Sequence, residues 1–291
     1  MKIKKINYTN IVLGIILVIW GFLIFYPFYN SILVSFMSQA EYMRKPFAFW
    51  VSKPTLAAYQ EILSDGKFLL GYKNTLTVVA IRLPLALFIT ATAAYALSRK
   101  KFLGSKVINN IIVFTMYFGG GTIPLYLLVR NYGLMNSLAS IIILHSFTVY
   151  NMVLIKNFFY TIPDSLEESA KIDGANDLVI FAKVYLPLAK PIIATVSLYI
   201  VVAIWNEWYG AMLYISDPKK WPLQLVLREI IGNATAEITE EMQGDVLVTK
   251  ETFALNVQMA SVVVTMLPIM LVYPFLQKFF MSGLTVGAVK G

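Results

Sequence analysis

Six long apolar stretches, separated by more polar segments, constrain the fold of this chain more than any other feature. They are Ile11–Ser35, Asn74–Leu97, Val107–Val129, Asn136–Phe158, Ile192–Tyr214 and Leu255–Phe280. Each can cross the roughly 30 Å of hydrocarbon in a bilayer as a helix. Only 14% of the residues are charged, against about a quarter in soluble domains. The pattern predicts an all-α membrane protein with about six transmembrane helices, because a lone span must satisfy its backbone hydrogen bonds internally.

The residue inventory excludes several kinds of function. The chain has no cysteine, which excludes disulfides, thiol catalysis and cysteine-ligated metals. Its single histidine, His145, cannot form a histidine metal cluster and is expected to be a satisfied core residue. The net charge is +8 and the basic residues lie mostly in short loops, so we expect them to orient the chain in the lipid bilayer, with no nucleic acid partner. Acid, base and nucleophilic groups do not cluster on one membrane side, so no enzymatic activity is expected.

The basic residues also predict an orientation. The short second loop is crowded with them, at Arg99, Lys100, Lys101 and Lys106, and further lysines precede the first span. Short loops rich in Lys and Arg favour the cytoplasmic side. Both termini are therefore predicted to be cytoplasmic, with the long 39–73 and 215–254 segments outside. These outer segments have helical patterns at Thr55–Leu63 and Leu223–Ile231, the second ending at Gly232-Asn233.

The fourth loop, 159–191, predicts a helix–turn–helix. Proline and acidic groups favour a helix N-terminus, and Pro163-Asp164 starts a helix that runs to Ile172. Gly174 then takes the left-handed conformation that ends a helix. A second helix over Asn176–Tyr185 is predicted to end before Pro187. Small residues around the bend permit a close fit into another protein's groove; the alternative is an amphipathic surface helix that only shields lipid headgroups.

A spaced motif lies in the same loop: Glu168-Ser169-Ala170, three residues, Gly174, nine residues, then Val184-Tyr185-Leu186-Pro187. It resembles the cytoplasmic signature of ATP-binding-cassette (ABC) importer permeases, which reads Glu-Ala-Ala, three residues, Gly, nine residues, Ile-x-Leu-Pro. Ser169 replaces an alanine and Val184 an isoleucine. Segments elsewhere resemble the maltose-type carbohydrate permeases, namely 74–76, 94–100, Trp205-Asn206 and 283–291. Segments 118–124 and 221–228 resemble the subfamily for complex oligosaccharides, including alginate- and pectin-type fragments.

The resemblance implies a type I ABC importer permease fold in a bacterial inner (cytoplasmic) membrane. It implies one permease domain over 1–291, with its core at about 74–280, a coupling loop at 159–191 and an extracytoplasmic loop at 215–254. The chain would form half of the pore of an oligosaccharide importer. Its partners would be a second homologous permease subunit, two cytoplasmic ATPase subunits and an extracytoplasmic sugar-binding protein. No cofactor is expected on this chain, since ATP and Mg would bind to the ATPase subunits.

The motif also assigns candidate residues for the ATPase-coupling interface. They are Glu167, Glu168, Ser169, Ala170, Asp173, Gly174 and Ala175. Gly174 should matter for the backbone shape and the acidic pair for orienting the helix.

A second candidate set interrupts the fifth span with polar and aromatic groups at Trp205, Asn206, Glu207 and Trp208. Aromatic faces stack on sugar rings, while Asn and Glu can hydrogen-bond hydroxyl groups. An ionisable group inside a membrane is costly, so Glu207 indicates a functional site. These residues are therefore candidates for the wall of a translocation pathway. The alternative is an aromatic belt at the outer interface.

Arg82 and Tyr117 complete the candidate pathway set. Arg82 lies well inside the second span, where it faces a wet pathway, pairs with Glu207, or snorkels to an interface. Tyr117 precedes Gly119–Gly121, which interrupt the third span and permit close helix packing or a gate; packing is the favoured interpretation.

Two other kinds of transporter remain alternatives: an ABC permease for a non-sugar solute, and an ion-coupled secondary transporter. The second would commonly have inverted repeats and several intramembrane charges, and the sequence has no obvious repeat. A phosphate-binding loop is also missing. The nearest spacing runs from Gly66 to Gly71, with Tyr72 where the essential lysine should stand.

Overall fold

The structure, a computed structural model, describes residues 8–64, 66–99, 104–243 and 252–288. Every regular element in these ranges is helical. The α-helices are α1 (Tyr8–Ser35), α2 (Gln39–Arg44), α3 (Ala57–Ser64), α4 (Gly66–Ser98), α5 (Ser105–Tyr117), α6 (Thr122–Asn131), α7 (Leu138–Leu144), α8 (Val149–Phe159), α9 (Asp164–Ile172), α10 (Asp177–Ile180), α11 (Leu186–Leu188), α12 (Lys190–Trp205), α13 (Tyr209–Tyr214), α14 (Leu223–Gln243) and α15 (Ala254–Ala288). A π-helical turn, Phe181–Tyr185, joins α10 to α11, and Pro218–Lys220 forms a 3₁₀ turn.

Three helices are long and apolar enough to cross a membrane alone. They are α1 from Ile11, α4, and α15 as far as Leu271. Three bent pairs have the required length and composition together: α5 with α6, α7 with α8, and Asp177–Leu188 with α12, bent by 109°, 41° and 80°. The predicted all-α class is confirmed for the described residues, and six spans are reached when each bent pair counts as one.

The glycine run interrupts the third span as expected. Gly121 has a φ of +85°, a conformation that glycine adopts without strain. No heavy atom lies within 4 Å of a Cβ placed on Gly119 or Gly121. A Cβ on Gly120 would lie 3.6 Å from Pro124. The run lies at the 109° bend between α5 and α6, and the packing interpretation stays a prediction.

One predicted helix end is also wrong. Helix α14 continues through Gly232-Asn233 to Gln243. Glycine inside a helix costs only about 1 kcal/mol relative to alanine, and the residues that follow favour a helix. By contrast, the helix predicted over Thr55–Leu63 is present as α3, shifted by two residues at its start.

The described residues divide into two units, and the prediction of a single permease domain stays a prediction. One unit draws on 1–66 and 227–267. Its core contains Val34, Met37 and Phe253. The buried Asn256 side chain donates to the Met37 carbonyl at 3.0 Å and accepts the Phe253 N–H at 2.9 Å. These hydrogen bonds hold the segment that follows α1, at Met37, against the start of α15.

The other unit, built on 67–226 and 268–291, contains the motifs. At the start of α4, Asn74 donates to the carbonyls of Lys219 and Trp221 at 2.9 and 3.0 Å. The neighbouring Thr75 hydroxyl accepts the Leu223 N–H at 2.9 Å. A Cβ on Gly71 would lie 3.2 Å from the Leu223 backbone, so only glycine fits this close approach without a shift. These contacts fix α4, which runs through the whole unit.

Candidate functional site

The bend between α9 and α10 has the geometry that its sequence predicts. Helix α9 begins at Asp164 and ends at Ile172. Gly174 has a φ of +82°, and the Ala175 N–H donates to the Ala170 carbonyl at 2.9 Å, which closes the turn. The Asn176 side chain then accepts the Val179 N–H at 2.9 Å and caps α10.

The second helix of the pair does not end before Pro187, so that prediction is wrong. The chain passes through the π-helical turn into α11, which includes Pro187 and ends at Leu188. Proline is tolerated here because it lies in the first turn of α11, where its missing N–H costs little.

Arg99, directly after α4, is the centre of a charged and aromatic cluster beneath the bend. Its guanidinium carbon lies 4.4 Å from the centre of the Tyr95 ring and 4.3 Å from that of Tyr185. Both rings thereby contribute cation–π contacts. The guanidinium also forms an ion pair with Glu167 of α9. Glu167 in turn accepts hydrogen bonds from Lys171 at 2.5 Å and from the Tyr185 hydroxyl at 3.3 Å. We call these five residues the Arg99 anchor.

The charges of the anchor keep Glu167 ionised. Burial raises the pKa of this carboxyl, but the Lys171 hydrogen bond and the Arg99 charge outweigh it and place the pKa below its ordinary value. A carboxyl whose pKa is lowered in the folded state stabilises that state at pH values above its ordinary pKa. This contribution is lost as the pH falls through the lowered pKa. The anchor is therefore intact at neutral pH.

Aromatic packing supports the anchor from within the unit. Tyr185 is 1% exposed and Phe159 is 2% exposed, and their ring centres lie 5.3 Å apart. The Tyr95 ring centre lies 4.9 Å from that of Phe181. The Tyr95 hydroxyl donates to the Asp177 carbonyl at 3.2 Å. Both helices of the pair are thus attached to the end of α4, and the π-helical turn also packs on Phe159 at the end of α8.

A cavity of about 320 Å³ lies at the break in the fifth span. Helix α12 ends at Trp205, and Asn206, Glu207 and Trp208 line the cavity before α13 begins. The Glu207 carboxylate accepts the Gly210 N–H at 2.9 Å, which satisfies the first turn of α13. This break places a carboxylate and an indole at a cavity wall inside a predicted span.

A second cavity of about 370 Å³ shares His145 and Ala203 with the first. Its wall includes Arg82, which is only 5% exposed and whose Nε donates to the His145 carbonyl at 3.3 Å. His145 itself is exposed to these spaces, so its assignment to the core is wrong. The reason is that it lies at the break between α7 and α8, outside regular helix packing.

Comparison with known proteins assigns the chain to a family. The family described as binding-protein-dependent transport system inner membrane component matches residues 83–286. The chain belongs to this family. It is therefore a permease, a multi-pass membrane component of an ABC transport system.

Individual relatives cover nearly the whole permease. It is 39% identical to protein LplC of Bacillus subtilis (strain 168), over 91% of this chain and 89% of that protein. It is 38% identical to the polygalacturonan/rhamnogalacturonan transport system permease protein YtcP of the same organism, over 94% and 98%. A crystal structure of a bacterial ABC transporter involved in the import of the acidic polysaccharide alginate has a similar chain, with 33% identity, a TM-score of 0.86 and coverage of 96% and 99%. The type I ABC importer permease fold is confirmed.

The seven interface candidates of this permease do not share one environment. Glu167 faces the Arg99 anchor, with 16% of its side chain exposed. Ala170 and Ala175 pack against the hydrophobic core. The other four candidates are exposed: Glu168, Ser169, Asp173 and Gly174.

Sequence reasoning missed two apolar side chains on this exposed surface. Ile172 is 86% exposed and Leu178 is 77% exposed, one on each side of the bend. The sequence did carry a signal for one of them: Ile172 is a large apolar residue at the last position of a short, highly charged helix. We call Glu168, Ser169, Ile172, Asp173 and Leu178 the outer face of the helix pair. Arg99 and Tyr185 were also missed as site residues, because their roles depend on contacts distant in sequence.

The candidate pathway residues also fall into two groups, those that line a cavity and those that do not. Arg82, Asn206, Glu207 and Trp208 each line one of the two cavities. Trp205 lines neither; it is 5% exposed, and its ring lies 5.9 Å from that of Tyr72 in an edge-on contact. Tyr117 is 75% exposed at the end of α5 and also lines neither cavity.

Proposed function

We propose that this permease forms half of the pore of an oligosaccharide importer and is driven by ATPase subunits that dock on the helix pair α9–α10. The observation that carries the proposal is the contrast between the two faces of this pair. Its inner face is attached to α4 by the Arg99 anchor, while its outer face exposes Ile172 and Leu178. Ile172 and Leu178 are large apolar side chains exposed beside small and charged residues on the predicted cytoplasmic loop, which supports a docking surface there.

The anchor explains how docking would act on the pore. Closure of two nucleotide-bound ATPase subunits would move the helix pair as a rigid body. The ion pair from Glu167 to Arg99 and the packing of Tyr185 would pass this movement to α4. Helix α4 also carries Arg82, which lines a cavity, so the movement would change access to the cavities.

The oligosaccharide assignment is supported by the relatives and by the cavity walls. The relatives' names include a polygalacturonan/rhamnogalacturonan permease and a transporter for alginate. Aromatic and hydrogen-bonding side chains line both cavities, a combination suited to sugar rings. We further propose the remaining parts of the assembly: a second permease, an extracytoplasmic sugar-binding protein, ATP and Mg only on the ATPase subunits, and both termini in the cytoplasm.

Stepwise reconstitution tests this function. Sugar uptake into proteoliposomes would be measured for this chain alone, then with a second permease, then with the ATPase pair and the binding protein added. We expect ATP-dependent uptake only when all of these components are present, because transport needs ATPase subunits docked on the helix pair. A complete complex without ATP is the control.

Robust uptake by the single polypeptide, driven by an ion gradient, would contradict the proposal and favour a secondary transporter. ATP-dependent uptake of peptides or inorganic ions, but of no sugar, would leave the ABC permease assignment intact and refute the oligosaccharide substrate.

A further inference from the structure

Arg82 is a buried cation with an unused hydrogen-bond donor. It is 5% exposed, and its Nε donates to the His145 carbonyl at 3.3 Å. Its Nη1 is buried and has no hydrogen-bond partner among the described residues. An unpaired buried donor is costly, and more so when it is charged.

Glu207 does not fill this role. Its carboxylate interacts with Arg82 through its charge, yet within the described part of the chain the two side chains form no ion pair. One Glu207 oxygen instead accepts the Gly210 N–H. Arg82 therefore lines the cavity without a carboxylate partner in the described part of the chain.

The remaining walls of the Arg82 cavity suit a sugar ring. Tyr150 and Tyr199 line it, with ring centres 6.3 Å apart and planes inclined by 40°. The Asn151 side chain, 6% exposed, and Thr148 add polar groups. A volume of about 370 Å³ is in the range of small-molecule sites. Aromatic faces, amide and hydroxyl groups fit a pyranose, while the guanidinium fits a carboxylate in a two-pronged contact.

We propose that Arg82 binds the carboxylate of a uronic acid unit in this cavity, which makes the pathway selective for acidic oligosaccharides. The proposal rests on the proposed function as a sugar permease and adds the chemical class of the sugar and the residue that recognises it.

The test compares a charged and a neutral substrate with the same sugar backbone: the galacturonic acid trimer and its methyl ester, in which each carboxylate carries a methyl group. The complete transport complex is assayed with the same binding protein in every arm, so that the selectivity of that protein cancels between variants. We expect Arg82→Gln to lower the ratio of kcat/KM for the acid to that for the ester by at least about tenfold. Arg82→Lys should retain part of the ratio, because it keeps the charge but loses the planar fork.

Lys156→Gln is the matched control. Lys156 is another buried basic residue of this unit, 8% exposed, and it pairs with Asn109 away from the cavity. This variant should leave the acid-to-ester ratio unchanged. Asn151→Asp is a second probe, since it adds a negative charge to the cavity wall without changing its size, and it should also lower the ratio. If the Arg82→Gln permease does not assemble into the complex, the Asn151→Asp variant still tests the proposal.

An equal loss of acid and ester transport in Arg82→Gln, or an unchanged ratio in Asn151→Asp, would overturn the proposal and leave Arg82 a structural role. Wild-type uptake of the ester or of neutral sugars but not of the acid would also overturn it, while the import function would stand. A wild-type complex that imports no sugar at all would refute the proposed function itself.

Discussion

Two arginines associated with one helix have opposite surroundings. Arg99, at the end of α4, is enclosed by two tyrosine rings and the Glu167 carboxylate. Arg82, inside the same helix, meets one backbone carbonyl and an open cavity. The difference separates two uses of a buried cation. A guanidinium paired with a carboxylate of the chain itself acts as a joint, whereas, under the proposal above, one that lines a cavity without such a pair acts as a binding group.

The two arginines are roughly 25 Å apart along the helix, at 1.5 Å of rise per residue. Under the proposed function, α4 therefore connects the joint that receives movement from the ATPases to the cavity that holds the sugar. Pro84 lies inside this helix, two residues after Arg82. Proline removes one helical hydrogen bond and favours a local bend.

The largest expected effect comes from reversing the charge of the anchor. Glu167→Lys places a third cation beside Arg99 and Lys171, and we expect ATP-dependent uptake to fall by more than about tenfold because breaking this partly buried pair leaves uncompensated charge. The 159–191 loop should also become sensitive to protease in the purified permease. Both quantities are measurable in one preparation.

Glu168→Lys is the matched variant, because Glu168 is the neighbouring residue but lies on the outer face. It should weaken ATPase docking while the loop keeps its protease resistance. If both variants gave the same protease pattern, the distinction between inner and outer faces of the helix pair would be refuted.

A comparison of two tryptophans should give an intermediate effect. Trp205 is buried against Tyr72, so Trp205→Ala should destabilise the folded permease by about 3 kcal/mol and reduce its amount in the membrane. Trp208 lines the cavity, so Trp208→Ala should leave the amount of protein nearly unchanged and impair uptake. Membrane content by immunoblot and uptake per molecule separate the two outcomes. Equal loss of protein in both variants would contradict the assignment of Trp208 to the cavity wall.

The smallest effect is expected at the bend. Gly174 has a φ of +82° and open space around it, so Gly174→Ala should cost about 1 kcal/mol through backbone strain rather than a clash. Gly174→Asn should cost less, because asparagine tolerates the left-handed conformation. Thermal unfolding of each variant, followed by a signal from the 159–191 loop, measures both stability costs. A larger loss for asparagine than for alanine would show that the outer face, and not the backbone, limits substitution here.

Local patterns in the sequence were sufficient for the membrane class, the helix pair and its turn, and the family motif. Apolar runs indicate spans because the bilayer has a set thickness, and Gly174 ends α9 because of its own backbone freedom. The same reasoning failed at Gly232, where the helix continues to Gln243. A single glycine is a weak signal when the flanking residues favour a helix.

The sequence by itself thus determined the membrane class, the helix pair with its turn at Gly174, and most of the candidate site residues, but not every helix end. Only the tertiary structure decided which of them face inward. Glu167 and Glu168 are adjacent and chemically alike, yet one pairs with Arg99, 68 residues away in sequence, and the other is exposed. Trp205 and Trp208 divide in the same way between core and cavity. Such distinctions arise from contacts between distant segments, which are set by how the helices pack and not by any local preference.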